Sequence, residues 1–160
     1  MKIGIIIIFH NNETDIDKSF FIDQIKSSEH IEICFVDNES KDETLNHLDD
    51  IKEVCPDKVS VIEIKRNVSE IAATKAGARY MFNEFNLKHI GYVNANALKR
   101  NGLILSTLIK RFCTHKDVII DFNLKIIKDQ EIKKTLFKSV FSVVEYLQHI
   151  EKSSLVIPTT

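Results

Sequence analysis

The sequence is poor in residues that break or staple a chain. Four glycines and two prolines in 160 residues leave no linker, low-complexity tract or internal repeat. The three cysteines, Cys34, Cys55 and Cys113, are odd in number, far apart and form no CxxC pair. That pattern argues against a disulfide framework and a zinc site, and a reducing cytoplasm is the expected compartment. His47, His89, His115 and His149 are scattered, which argues against a histidine-rich metal cluster. There is no charge excess: the formal net charge is −1, whereas a nucleic-acid binder carries a clear basic surplus. The apolar run at the N-terminus, Ile3–Phe9, has only seven residues. A membrane span or a signal h-region needs a longer one.

What is present is an ordinary globular composition, 44% apolar and 28% charged, enough for one domain with a full core over residues 1–160. The β-branched run Ile3–Phe9 predicts a central strand buried on both faces. Ile16, Phe20, Phe21 and Ile25 fall on one helical stripe. A second strand, Glu32–Val36, ends in Asp37-Asn38-Glu39-Ser40. Ser40 and Glu43 have capping-box spacing, so a helix carrying Leu45, Leu48 and Ile51 is expected to start there. Val59–Ile64 alternates as a strand, Arg66–Ser69 forms a loop, and a helix runs from Glu70 to Phe85. His89–Val93 is the next strand, followed by Asn94-Ala95-Asn96. Beyond it the pattern predicts a helix over Leu103–Phe112 and a strand over Asp117–Asp121. A long amphipathic helix over Asp129–Glu151 and a last strand at Leu155–Ile157 complete the chain.

Strands alternating with helices imply right-handed βαβ units, a parallel sheet flanked by helices, and a Rossmann-like α/β fold. Ligands of such sheets bind beyond the carboxyl ends of the strands. Those ends, His10–Glu13, Asp37–Ser40, Arg66–Ser69 and Asn94–Asn96, are all polar and are expected to converge. No glycine-rich phosphate loop follows the first strand, which excludes a dinucleotide fingerprint and a Walker loop. A divalent cation held by strand-end carboxylates is the usual alternative.

Three segments carry a specific resemblance. The first strand is followed by Val36-Asp37-Asn38-Glu39-Ser40-Lys41-Asp42-Glu43-Thr44. Then comes Arg66-Asn67-Val68-Ser69, with Gly77 ten residues after Asn67, and then Asn94-Ala95-Asn96. In this order and over roughly residues 2–121, the sequence resembles the family 2 glycosyltransferases of GT-A fold. Their second strand ends in Val-Asp-(Asp/Asn)-x-Ser-x-Asp-x-Thr, and their Asp-x-Asp motif falls at Asn94–Asn96. The resemblance implies a nucleotide-binding half over residues 1–97 and a partial acceptor-side region over 98–160. It implies sugar transfer from a UDP- or GDP-linked donor to a glycan or lipid-linked acceptor. It places Asp37 on the base and the Phe9, His10 and Asn11 backbone against base and ribose. Arg66 or Asn67 falls near the nucleotide with Asn94, and Asn96 falls at the Mn or Mg position.

The sequence departs from that pattern in four places. Asn94 and Asn96 replace two carboxylates, which lowers the expected metal affinity because amides supply only neutral oxygens. Ser69 replaces a glycine and removes a positive-φ option. Thr74-Lys75 stands where Arg-Asn is common, and Lys75 is a candidate to neutralise phosphate in place of metal. Only one long helix and a short apolar tail follow Asp121, so the domain reads as shortened, and no catalytic base is assigned. Asp121 and Glu145 are the available carboxylates. The helical face around Leu136–Ile150, mixing Lys133, Lys134 and Lys138 with Glu145 and Glu151, reads as core packing; a peripheral membrane or homo-oligomer contact is the alternative. Two functional readings stand, a small glycosyltransferase domain and a non-catalytic nucleotide-binding or partner module. A nucleotidyltransferase ranks last, because the loop after the first strand lacks glycines and basic residues.

Overall fold

The computed structural model describes residues 1–129 and 139–156, with side chains through 152. Among the described residues five strands form one sheet: β1 (Ile3–Phe9), β2 (Ile31–Asn38), β3 (Val59–Ile64), β4 (Ile90–Asn94) and β5 (Phe141–Ser142). Their order is β3-β2-β1-β4-β5, and each neighbouring pair is parallel. The chain builds outward from β1 to β3. It then crosses back and adds β4 on the other side of β1. The reversal places a topological switch point between β1 and β4.

β1 is fully buried, as its β-branched run requires. Its side chains alternate between two cores. Ile3, Ile5, Ile7 and Phe9 face one, with Phe21 and Ile25 of α1 (Lys18–Ser27) and Leu48 and Ile51 of α2 (Thr44–Val54). Ile6 and Ile8 face the other, with Ala73, Ala78 and Met81 of α3 (Glu70–Phe85). Gly77 lets α3 come this close. A Cβ there would sit 2.9 Å from Ile6 Cγ2. Cys34 lies in the second core, where burial pushes its thiol up to about 12.

After β4 the structure corrects the sequence reading. A short helix, α4 (Ala95–Arg100), follows β4 at once. Next come α5 (Leu105–Thr114) and α6 (Lys116–Lys128). The strand expected at Asp117–Asp121 is therefore the first half of α6. Val118-Ile119-Ile120 has strand propensity, but Ile119, Ile120 and Asn123 form a helical stripe packed into the core, and tertiary packing overrides propensity. The single helix expected over Asp129–Glu151 is also wrong. Phe141–Ser142 pairs with Gly91–Tyr92 as β5, and α7 starts at Val143 and runs to Val156. Leu155 lies in α7 rather than in a strand. Leu136, Phe137, Lys133, Lys134, Lys138 and Ile157 lie outside the described residues. Among the described residues no helix is long and apolar enough to cross a membrane.

A buried polar chain fastens this second half to the start of β4. Tyr146 donates to Asn123 Oδ1 at 2.7 Å, and Asn123 Nδ2 donates to His89 Nδ1 at 2.7 Å. The amide donor makes Nδ1 the acceptor, so His89 is held neutral with its proton on Nε2. Burial, the Lys88 charge and the N-terminal amine all lower its pKa.

Candidate functional site

Four strand ends meet in one hydrogen-bonded rim. After β1 the chain turns through Asn11, whose φ is 54°. Asn11 N donates to Ser40 Oγ at 2.9 Å, and Lys41 N donates to Asn11 Oδ1 at 2.7 Å. Asn12 N donates to Thr44 Oγ1 at 2.7 Å, and Glu13 N to Asp42 Oδ2 at 3.2 Å. These bonds zip the segment after β1 onto the segment after β2. They also correct the expected capping box. Ser40 braces Asn11 instead of starting a helix, and α2 begins at Thr44 with Glu43 at its N-cap. Asp42 accepts from both the N–H and the hydroxyl of Thr44, at 3.0 and 2.6 Å. Although desolvation works in the opposite sense, these bonds and the one from Glu13 hold its carboxyl below the ordinary value.

The end of β3 joins through Asn38. Its amide exchanges bonds with Val68, donating to Val68 O at 2.8 Å and accepting from Val68 N at 3.0 Å. Asn38 O accepts from His10 Nδ1 at 2.6 Å and from Asn67 Nδ2 at 3.3 Å. A carbonyl only accepts, so His10 carries its proton on Nδ1 and presents Nε2 as an acceptor, which takes Asn11 Nδ2 at 3.2 Å.

Asp37 sits inside this rim. It is 2% exposed. Oδ2 accepts weakly from Ser40 N at 3.4 Å. Oδ1 is buried with no partner, a property shared among the described side chains only by His47 Nδ1 in α2. A buried carboxylate oxygen without a donor costs free energy, so such a group calls for an explanation. Phe9, by contrast, is fully buried against Phe35 and offers a ligand only its backbone. Arg66 and Asn67 are exposed at the rim, and Lys75 is exposed in the second turn of α3.

The end of β4 is arranged differently. Asn94 caps α4, with Oδ1 accepting from Asn96 N at 3.0 Å and Ala97 N at 3.3 Å. Its Nδ2 donates to Glu70 Oε2 at 3.0 Å. Asn96 Nδ2 donates to His10 O at 2.8 Å, and Asn96 Oδ1 accepts from Asn12 Nδ2 at 2.7 Å. Asn12 is itself buried and uses its remaining capacity on His10 N and Asp15.

The profile for glycosyl transferase family 2 matches residues 4–136. The chain belongs to glycosyltransferase family 2. Its parallel sheet with helices on both faces is the GT-A-type arrangement. Among solved structures it is similar to S. aureus TarS, residues 1–349, at 15% identity and a TM-score of 0.46, covering 64% of this chain and 31% of that one. It is also similar to the mannosyltransferase PcManGT from Pyrobaculum calidifontis, solved with GDP-Man and Mn2+. There identity is 18% and the TM-score 0.40, covering 49% of this chain and 24% of that one. The chain thus spans about a quarter to a third of the length of these structures. No curated protein matches it in sequence.

A family 2 chain is expected to hold a divalent cation at the Asp-x-Asp position, and these residues do not fit one. Both lone pairs of Asn94 Oδ1 are taken by backbone donors, and Asn96 Oδ1 keeps one neutral lone pair. Among the described residues no group of three or more His, Cys, Asp or Glu could hold a metal. Beside Asn94 lies a cavity of about 190 Å³ lined by Glu70, Tyr92, Asn101, Ser142 and Glu145. Burial raises the Tyr92 pKa, and the charges of Glu70 and Glu145 raise it further. Asp121, the other carboxylate open to a catalytic role, is exposed on α6.

Sequence reasoning missed Asn12, Thr44 and Glu70. Thr44 was present in the matched segment without a role. Asn12 and Glu70 reach partners 84 and 24 residues away, and no local pattern signals such pairs.

Proposed function

We propose that this family 2 domain binds a nucleotide-diphosphate sugar, with the nucleoside at the joined ends of β1 and β2. The observation that carries this reading is the unpartnered Oδ1 of buried Asp37. A base N–H would satisfy it with a charge-assisted hydrogen bond, which is stronger than a neutral one. The Asn11 turn and the Asn67 side chain flank the same position, and Arg66 supplies positive charge at the rim. The donor sugar then extends past Asn94 toward the cavity of Glu70, Tyr92 and Glu145. There a glycan or lipid-linked hydroxyl attacks the anomeric carbon as the nucleoside diphosphate leaves. Of the two carboxylates lining the cavity, Glu70 already accepts from Asn94, which favours Glu145 as the acceptor of the hydroxyl proton.

UDP and GDP are expected to raise the thermal midpoint of the chain, and Asp37→Ala to abolish the shift. Absence of a shift with either nucleotide would sink the reading. A second reading, a nucleotide-binding module without turnover, is favoured by the end of β4, where Asn94 and Asn96 stand in place of two carboxylates. Hydrolysis of UDP- or GDP-sugar separates the two. A catalytic domain releases sugar and loses most of that rate in Glu145→Gln, whereas a binding module releases none.

A further inference from the structure

The end of β4 is where a family 2 chain is expected to use a cation, and here both amide oxygens already accept hydrogen bonds from the protein. Asn94 Oδ1 holds two backbone N–H groups of α4. Asn96 spans the switch point, giving Nδ2 to His10 O and taking Asn12 Nδ2. The carboxylate next to this pair, Asp15, is neutralised by Lys99 Nζ at 3.3 Å. Glu70 brings one carboxylate, bonded through Oε2 to the Asn94 amide. A divalent cation of this class needs six or more oxygens, at least one or two of them anionic. Swapping either amide for a carboxylate would also set negative charge against the Glu70 carboxylate or the His10 carbonyl.

We infer that Asn96, held in place by the Asn94 cap of α4, is a bracket that fixes the turn after β1, and that nucleotides bind at this edge without a divalent cation. The second half of the inference rests on the nucleotide reading above; the first does not. Three measurements on the full chain test it. Mn2+ added alone should keep its free-ion paramagnetic signal, and stoichiometric binding lost in Asn94→Ala would overturn the inference. Asn96→Asp and Asn96→Ala should both lower the thermal midpoint in metal-free buffer, because each removes the Nδ2 donor. An unchanged midpoint in Asn96→Asp would overturn the bracket. The affinities for UDP and GDP should agree within about twofold in EDTA and in Mn2+, and a tenfold gain with Mn2+ would refute independence. If neither nucleotide binds in either buffer, both the nucleotide reading and the cation-independent half fall, while the first two measurements still decide the bracket.

Discussion

At the end of β2, Asp37 keeps a buried carboxylate oxygen with no donor. At the end of β4, the side-chain oxygen and nitrogen of both Asn94 and Asn96 already hydrogen-bond to protein atoms. Asp37 and Asn94 are short polar residues at the ends of parallel strands on one edge of one sheet. The difference is one of satisfaction. A fully bonded polar network rigidifies its surroundings and adds stability, whereas an unsatisfied buried charge lowers stability until a ligand completes it. The same edge therefore divides into a part built to hold shape and a part poised to take a partner.

Asn12 joins the two parts, so its removal should have the largest effect. Asn12→Ala leaves His10 N and Asn96 Oδ1 without their partners. At roughly 1–3 kcal/mol for each buried group left unsatisfied, a loss of about 3 kcal/mol is expected. Urea unfolding would measure it. A loss below about 1 kcal/mol would mean that the β4 end does not brace the β1 turn, and the contrast with β2 would collapse.

The opposite end of β4 offers a pH test of the same contrast. His89 is buried neutral and accepts from Asn123. Its folded pKa is lowered, so the unfolded chain binds the proton more readily, and stability falls as pH drops below the unfolded value of about 6.5. Protonation also sets an Nδ1–H against the Asn123 amide donor, a mismatch worth roughly 1–3 kcal/mol. Unfolding measured at pH 7.5 and pH 5 should show this decline. In His89→Gln it should be shallower, because the titrating group is gone.

Much of this was legible in the sequence, for physical reasons that differ by region. The runs at Ile3–Phe9 and Val59–Ile64 and the stripe of Glu70–Phe85 reproduce the observed bounds. Each is long enough for its period to dominate. Beyond β4 the reading failed where elements are short or β-branched. A two-residue β5 has no period, and Val118-Ile119-Ile120 favours a strand locally while packing as a helix. At the site, Asp37 stood out because it ends a buried strand inside a recognisable motif. The exchange of carboxylates for Asn94 and Asn96 was also visible. Their partners, Asn12, His10 and Glu70, were not, because those bonds are made only once the sheet has assembled.

Asp37→Asn sharpens the contrast at smaller amplitude. An amide is less costly to bury than a carboxylate, so the ligand-free variant should be more stable by about 1 kcal/mol. Its affinity for UDP or GDP should fall at least tenfold, because the charge-assisted bond is lost. Lower stability in the variant would make Asp37 a structural group like Asn96, and the division of the edge would disappear.

The smallest effect concerns Ser69, where the sequence suggested a lost glycine. The backbone there has φ −63° and ψ 159°, a conformation open to any residue, so the missing positive-φ option has no consequence. Instead Ser69 caps α3, with Oγ accepting from Ala72 N at 3.2 Å. An N-cap serine replaced by alanine costs roughly 1 kcal/mol and by glycine only a few tenths. Ser69→Ala should therefore lose about 1 kcal/mol of stability, and Ser69→Gly about 0.3 kcal/mol. Because α3 also delivers Glu70 to Asn94, Ser69→Ala loosens the β4 side of the edge and leaves Asp37 untouched. Nucleotide affinity that drops as much in Ser69→Ala as in Asp37→Asn would show that the two parts act as one.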